Sequence, residues 1–122
     1  MYNDIIVDNF SAPNYVGDLE TADHEIEIGN PVCGDRIKVQ LLISDSQISK
    51  AVFRAWGCAT SLATANVFCR SIEGQSITTI SKRCTQEISS MLGELEPSQR
   101  HCLDILSELH SKLVSQLDIG VA

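Results

Sequence analysis

The chain has 122 residues, a net charge of −7 and an apolar fraction of 43%, which suit one soluble domain over residues 1–122 with a core that needs no covalent staples. No apolar run is long enough to span a bilayer, and the opening Met1-Tyr2-Asn3-Asp4-Ile5-Ile6-Val7-Asp8 lacks the marks of a secretory signal or a transit peptide, so a cytoplasmic location is expected. The charge is polarised: no Lys or Arg precedes Arg36, while Asp4, Asp8, Asp18, Glu20, Asp23, Glu25, Glu27 and Asp35 fall in that stretch. Such a surface repels phosphate backbones and anionic lipid, so the expected partners are proteins, with no nucleic acid and no membrane.

Residues 2–10 are predicted to form a short helix with Ile5, Ile6 and Phe10 on its apolar side. Ser11-Ala12-Pro13-Asn14 breaks it, and residues 15–22 read as irregular. Residues 24–28 alternate polar and apolar, a half-buried strand, followed by a loop over residues 31–35. Ile37, Val39, Leu41 and Ile43 alternate with Arg36, Lys38 and Gln40 as a second strand. After the turn-rich Ser44-Asp45-Ser46-Gln47, residues 48–56 have the β-branched and aromatic content of a third.

Beyond Gly57 the period changes. Leu62, Ala65, Cys69 and Ile72 mark a helix over residues 59–72, closed by Gly74. Short helices are expected over residues 77–82 and 85–92, the second stopped by Gly93. Pro97-Ser98 signals the start of a long helix whose apolar stripe is Cys102, Ile105, Leu106, Leu109, Leu113 and Leu117. Strands first and helices after predict an α+β fold: a three-stranded antiparallel sheet with helices packed on one face.

The cysteines are Cys33, Cys58, Cys69, Cys84 and Cys102. An odd number in a chain without secretory features argues against a disulfide framework and for metal or thiol chemistry. Cys33 falls in the loop between the first two strands, Cys58 between the third strand and a helix, and Cys102 in the first turn of the last helix, beside His101. Element boundaries let side chains converge at one end of a sheet, and helix N-termini stabilise thiolates. With Asp35 close by in sequence, the candidate metal-binding set is Cys33, Asp35, Cys58, His101 and Cys102. No C-x-x-C pair is present, so this is not a local zinc knuckle. Cys69 reads as core, Cys84 has no reason to be a ligand, His24 and His110 read as surface or structural residues, and Trp56 reads as packing beside the site. No nucleophile-elbow pattern appears, and a Cys102–His101 protease pair is disfavoured because adjacent helix residues point in different directions.

These residues carry a family resemblance. Asn30-Pro31-Val32-Cys33-Gly34-Asp35 resembles the first cysteine motif of the IscU/NifU-type iron–sulfur scaffold family. Trp56-Gly57-Cys58-Ala59-Thr60-Ser61-Leu62-Ala63 is similar to its second motif and Arg100-His101-Cys102 to its third. Tyr2 through Pro13-Asn14-Tyr15-Val16-Gly17 is similar to its opening segment, so the resemblance spans essentially the whole chain. It implies an IscU/SufE-like fold and a non-enzymatic scaffold on which a transient 2Fe–2S cluster is built from iron and desulfurase-derived sulfur, then passed to recipient apoproteins. It further implies Cys33, Cys58 and Cys102 as ligands, Asp35 and His101 as supporting or exchangeable ligands, zinc in the cluster-free form, Cys102 as persulfide acceptor and a cysteine desulfurase as partner. Permanent clusters of this type usually use four thiolates, and a carboxylate or imidazole in place of one thiolate leaves a corner suited to release.

Two departures bear on this reading. The family's Isc branch carries a Leu-Pro-Pro-Val-Lys signal for an Hsp70-type chaperone, where this chain has Leu95-Glu96-Pro97-Ser98-Gln99. The related SufU branch, a zinc-dependent sulfurtransferase, has an insertion between the second and third cysteine motifs and lacks the His. Here the span from Cys58 to Cys102 leaves no room for it and His101 is present, which favours the scaffold. A zinc-dependent sulfurtransferase remains the alternative, and a zinc-stabilised interaction domain a third reading.

Overall fold

The computed structural model describes residues 3–30, 35–57 and 59–121, without the side chains of residues 30, 35, 98 and 118–121. The elements run α1 (Asp4–Ser11), β1 (His24–Asn30), β2 (Asp35–Ser44), β3 (Gln47–Trp56), α2 (Ala59–Ile72), α3 (Ile77–Ser81), α4 (Thr85–Ser90), a 3-10 turn (Pro97–Gln99) and α5 (His101–Val121). The three strands form one antiparallel sheet in the order β1-β2-β3, as expected from the alternating segments. Asp35 opens β2, paired with Asn30, so its backbone belongs to the strand and not to the predicted loop.

The hairpin between β2 and β3 turns through Asp45 and Ser46, both at positive φ, the conformation that two-residue hairpin loops require. Next to it, Leu42 pairs with Lys50 and Ile43 with Ile48. The extra residue is a bulge at Ser49, and it shifts the alternation so that Ile48, Ala51 and Phe53 are all buried. With Ile26 and Ile28 of β1 and Ile37, Val39 and Leu41 of β2 they make the core face. Against it lie Ala65, Phe68, Cys69 and Ile72 of α2 and Cys102, Leu106, Leu109, Leu113 and Leu117 of α5. Ile105, which the periodicity places in the same stripe, is only partly buried.

Both edges of the sheet are covered. On β1, Lys112 Nζ and Gln116 Nε2 of α5 donate to the carbonyls of Glu27 and Glu25, each at 3.0 Å. On β3, Phe53 N donates to Tyr15 O at 2.9 Å and Gly17 N to Phe53 O at 3.0 Å. Unpaired edge carbonyls and amides would otherwise template association with another strand. From there residues 17–23, most of them within the 15–22 stretch read in sequence as irregular, form a strap across the outer face: Leu19 N donates to Gln40 Oε1 at 2.9 Å, and Asp18 pairs with Arg54 and Lys38. The strap explains why Gln40 and Val52 are buried on a face that alternation assigns to solvent.

Helix α1 starts from Asn3, whose Oδ1 accepts from Ile6 N at 2.9 Å. Phe10, predicted to join Ile5 and Ile6 on the apolar side, is 48% exposed, while Asn9 is buried. The inversion has a polar cause, because Asn66 Nδ2 in the middle of α2 donates to Asn9 Oδ1 at 2.7 Å. Asn3 also donates to the carbonyls of Leu92 and Glu94, each at 2.7 Å. Gly93 lies between them at φ 71°, where a Cβ would stand 3.1 Å from Ile5 Cδ1.

Candidate metal-binding site

The described part of the site is built where three element ends meet. The register pairs Asn30 with Asp35 and Arg36 with Trp56, so the β1–β2 connection and the end of β3 share one end of the sheet. Helix α2 begins at Ala59, immediately beyond, and its first turn carries Thr60. The Thr60 hydroxyl stands 3.2 Å from Nε2 of His101, the first residue of α5. That same nitrogen is 3.9 Å from Cys102 Sγ.

The 3.9 Å separation brings the two side chains within reach of each other although they are neighbours on α5. His101 is exposed and Cys102 is fully buried, so their backbones do face different ways, but the imidazole is long enough to reach back toward the sulfur. Bound tetrahedrally to one zinc-like ion, a thiolate sulfur and an imidazole nitrogen would be about 3.6 Å apart. The two donor atoms thus fit a shared metal with a shift of a few tenths of an ångström. Among the described residues, no three His, Cys, Asp or Glu side chains group closely enough to hold an ion. Cys33 and Cys58, and the Asp35 side chain, lie outside the described residues; their described neighbours are Asn30, Gly57 and Ala59.

The rim carries charge and an aromatic ring. Trp56, expected to pack beside the site, is 46% exposed, and the Arg36 guanidinium lies 5.0 Å from its ring centroid. Arg36 Nε also donates to Glu27 Oε1 at 2.6 Å, which holds the Glu27 carboxyl below its usual range. The segment leading into α5 is a capped turn. Glu96 N donates to Gln99 Oε1 at 3.4 Å in a capping box, and Gln99 is buried.

The remaining candidates fall outside the site. Cys69 is buried mid-helix, and burial pushes its thiol far above the usual range. Cys84 is exposed and caps α4, its Sγ 3.5 Å from Glu87 N. His24 Nδ1 lies 3.2 Å from Gln116 Oε1. His110 is buried, its Nδ1 2.8 Å from Leu106 O and its Nε2 3.1 Å from Arg83 Nη1. Sequence reasoning did not reach Thr60 as a partner of His101, because the contact joins residues 41 positions apart.

The profile of the family described as "NifU-like N terminal domain" matches residues 1–116. An iron–sulfur cluster assembly scaffold protein IscU from Archaeoglobus fulgidus is 32% identical over 108 residues, covering 88% of this chain and 71% of that protein. Its counterpart of the same description in Escherichia coli K12 is 29% identical over 111 residues, covering 88% and 85%. Among solved structures, a putative iron–sulfur cluster assembly scaffold protein for the SUF system from Fervidobacterium islandicum superposes with a TM-score of 0.61 at 22% identity, over 93% of this chain and 88% of that one. A NifU-like N-terminal protein from Brucella abortus gives 0.60 at 15% identity, over 92% and 79%. At such identities the structures speak to the fold, which they share.

Proposed function

This chain belongs to the family of NifU-like N-terminal domains, and from that premise we propose that it is an iron–sulfur cluster assembly scaffold, as its IscU relatives are described. The cargo is a 2Fe–2S cluster, held by Cys33, Cys58 and Cys102 with Asp35 and His101 as exchangeable ligands. The observation that carries the site is the single imidazole nitrogen of His101, 3.9 Å from Cys102 Sγ and 3.2 Å from the Thr60 hydroxyl. It links the α5 thiol to the first turn of α2, two residues beyond Cys58. The shared end of β1, β2 and β3 brings the chain on either side of residues 31–34 toward the same place.

Sulfur arrives in this reading from a cysteine desulfurase. The Cys102 thiolate attacks the outer sulfur of the donor's cysteine persulfide, the donor S–S bond breaks, and the donor cysteine leaves as thiolate. No net oxidation occurs in this step. Cys102 is fully buried, so the transfer needs its cover to part when the donor docks. A soft thiolate set with one nitrogen also suits zinc, which Cys33, Cys58 and Cys102 with His101 or Asp35 would hold in the cluster-free state. The assembled cluster passes to apoproteins, and the location is cytoplasmic. Among the described residues no helix is long and apolar enough to cross a membrane.

The turn before α5 argues against a chaperone step. Gln99 stands where the chaperone signal of the Isc branch ends in Lys, and it is buried in the capping box of the turn before α5. A neutral, buried side chain is a poor substitute for an exposed cation in peptide recognition.

Anaerobic reconstitution with iron, cysteine and a desulfurase tests the function, read by visible absorption, circular dichroism and metal analysis. A transferable 2Fe–2S signal is expected, lost in variants of Cys33, Cys58 and Cys102. A colourless protein that retains one zinc and accelerates desulfurase turnover would instead establish the sulfurtransferase.

A further inference from the structure

A groove of about 510 Å³ lies between the α3–α4 segment and α5, with Arg83 and His110 on its walls. Arg83 is held from behind: Nη1 donates to Ser71 Oγ at 3.0 Å and to His110 Nε2 at 3.1 Å, and Nη2 donates to the Ser71 carbonyl. Nη1 thus serves two acceptors and Nη2 one. Three of the five guanidinium N–H groups are thereby used, and Nε–H and one Nη2–H remain to donate to an oxyanion. Among the described residues no carboxylate is within ion-pairing range of Arg83. The exposed Glu87 acts on it only through the longer-range field.

The walls also supply hydroxyls. Ser81 and Thr85 come from one side, and Ser107 and Ser111, one helical turn apart, from α5. None of these four hydroxyls is hydrogen-bonded among the described residues. Burial already disfavours the charged guanidinium, so an anion at the fork would recover interaction that the fold leaves unused.

We propose that this groove binds a phosphate group, free or carried by a small phosphomonoester, on the Nε–Nη2 fork of Arg83 with hydroxyls of Ser81, Thr85, Ser107 and Ser111 around it. A tetrahedral oxyanion suits donors arriving from two walls better than a planar carboxylate. The apolar Ile80, Ile88 and Val114 at the groove leave room for the carbon skeleton of an ester. His110 acts as a positioning residue, because its Nε2 accepts one Arg83 proton and aims the fork. The site stands on its own observations and does not depend on the cluster reading.

The test is an amide-shift titration of the full chain, labelled with nitrogen-15, using sodium phosphate and then glycerol 1-phosphate. Sodium acetate and sodium chloride at matched ionic strength serve as controls. Saturable shifts confined to residues 80–88 and 107–115 are expected, with binding weaker by roughly tenfold or more in Arg83→Gln. Should that variant unfold, the Ser107→Ala/Ser111→Ala pair, which leaves the Arg83 contacts intact, is expected to weaken binding several-fold. Tighter binding of the ester assigns the site to phosphomonoesters, and equal binding assigns it to phosphate itself. No saturation, an equal response to acetate, or unchanged titration in the serine variant overturns the proposal.

Discussion

The Thr60 hydroxyl stands 3.2 Å from His101 Nε2, tying the first turn of α2 to the first residue of α5 through one side-chain contact. The same nitrogen faces Cys102 Sγ at 3.9 Å. A nitrogen with two such neighbours has a choice: it stays with the hydroxyl, or it turns to a metal on the sulfur. A site that must both hold and release its cargo benefits from an internal competitor of this kind, whose hydrogen bond is worth on the order of 1 kcal/mol.

Removing the competitor tests its role. Thr60→Ala removes the hydroxyl that competes for Nε2, so cluster or zinc affinity is expected to rise by about fivefold, the equivalent of about 1 kcal/mol. Competition with a chromogenic chelator measures this for zinc, and decay of the visible signal measures it for the cluster. Affinity equal to or below that of the parent protein would show that Thr60 does not compete for the ligand nitrogen.

The proposed ligands separate by role. Cys58→Ser is expected to reduce cluster retention, whereas Asp35→Ala should slow transfer to an apoprotein because a weak, exchangeable ligand is lost. Cys69→Ala should leave loading unchanged, since Cys69 is buried among Phe68, Ile72 and the sheet. Transfer kinetics to an apo-ferredoxin, followed by circular dichroism, read all three. Equal or faster transfer from Asp35→Ala would count against that assignment.

Thiol reactivity should follow burial. Cys84 is exposed, while Cys102 and Cys69 are fully buried, and burial raises the Cys69 thiol far above its usual range. Among the three described cysteines, alkylation of the metal-free native protein is expected to modify Cys84 first and Cys69 last. Adding the desulfurase should accelerate Cys102 alone if docking opens its cover. Mass spectrometry of peptides quenched at intervals gives the order, and a Cys102 rate indifferent to the desulfurase would place the uncovering elsewhere.

The sheet and the main helices were legible because each carries its own period. Ile37, Val39 and Leu41 alternate, Leu106, Leu109 and Leu113 recur at helical spacing, and the structure buries all six. What escaped was set by contacts distant in sequence. Asn9 displaced Phe10 from the interior of α1 because its partner Asn66 is 57 positions away. The strap over residues 17–23 has no period of its own and takes its path from Gln40, Lys38 and Arg54. At the site, residue types and boundaries nominated His101 and Cys102, but the reach of the imidazole back to the sulfur depends on side-chain geometry that helical spacing does not encode.

Asn66 is the polar pin of the α1–α2 contact. Its amide donates to Asn9 Oδ1 at 2.7 Å and its carbonyl accepts from Tyr15 N at 3.0 Å. Asn66→Ala leaves the buried Asn9 Oδ1 and the part-buried Tyr15 N without their partner, for a loss of roughly 2–6 kcal/mol at 1–3 kcal/mol per unsatisfied group. Urea unfolding measures the loss, and early amide exchange in residues 4–17 would show α1 and the β3 edge pairing released together. A midpoint unchanged from the parent protein would mean that water replaces Asn66 without cost.

His110 predicts the pH dependence. Arg83 can only donate, so Nε2 of His110 accepts, and the ring proton sits on Nδ1 and is donated to Leu106 O. Phe68 packs edge-on at 4.9 Å between centroids. Burial chiefly, and the facing guanidinium in addition, hold the His110 pKa below its ordinary value of 6.5. The unfolded chain therefore takes up this proton at a higher pH than the folded one. The stabilising contribution is complete above 6.5 and is lost as pH falls from there through the lower folded value. Asp18 and Glu27, whose carboxyls are held low by Arg54 and Arg36, respond only in the more acidic carboxylate range, so the two windows separate. Urea midpoints from pH 7 to pH 5 should fall in the parent protein and change less in His110→Gln, which keeps a polar side chain at the position but cannot titrate. Parallel curves for the two proteins would show that another group governs that range.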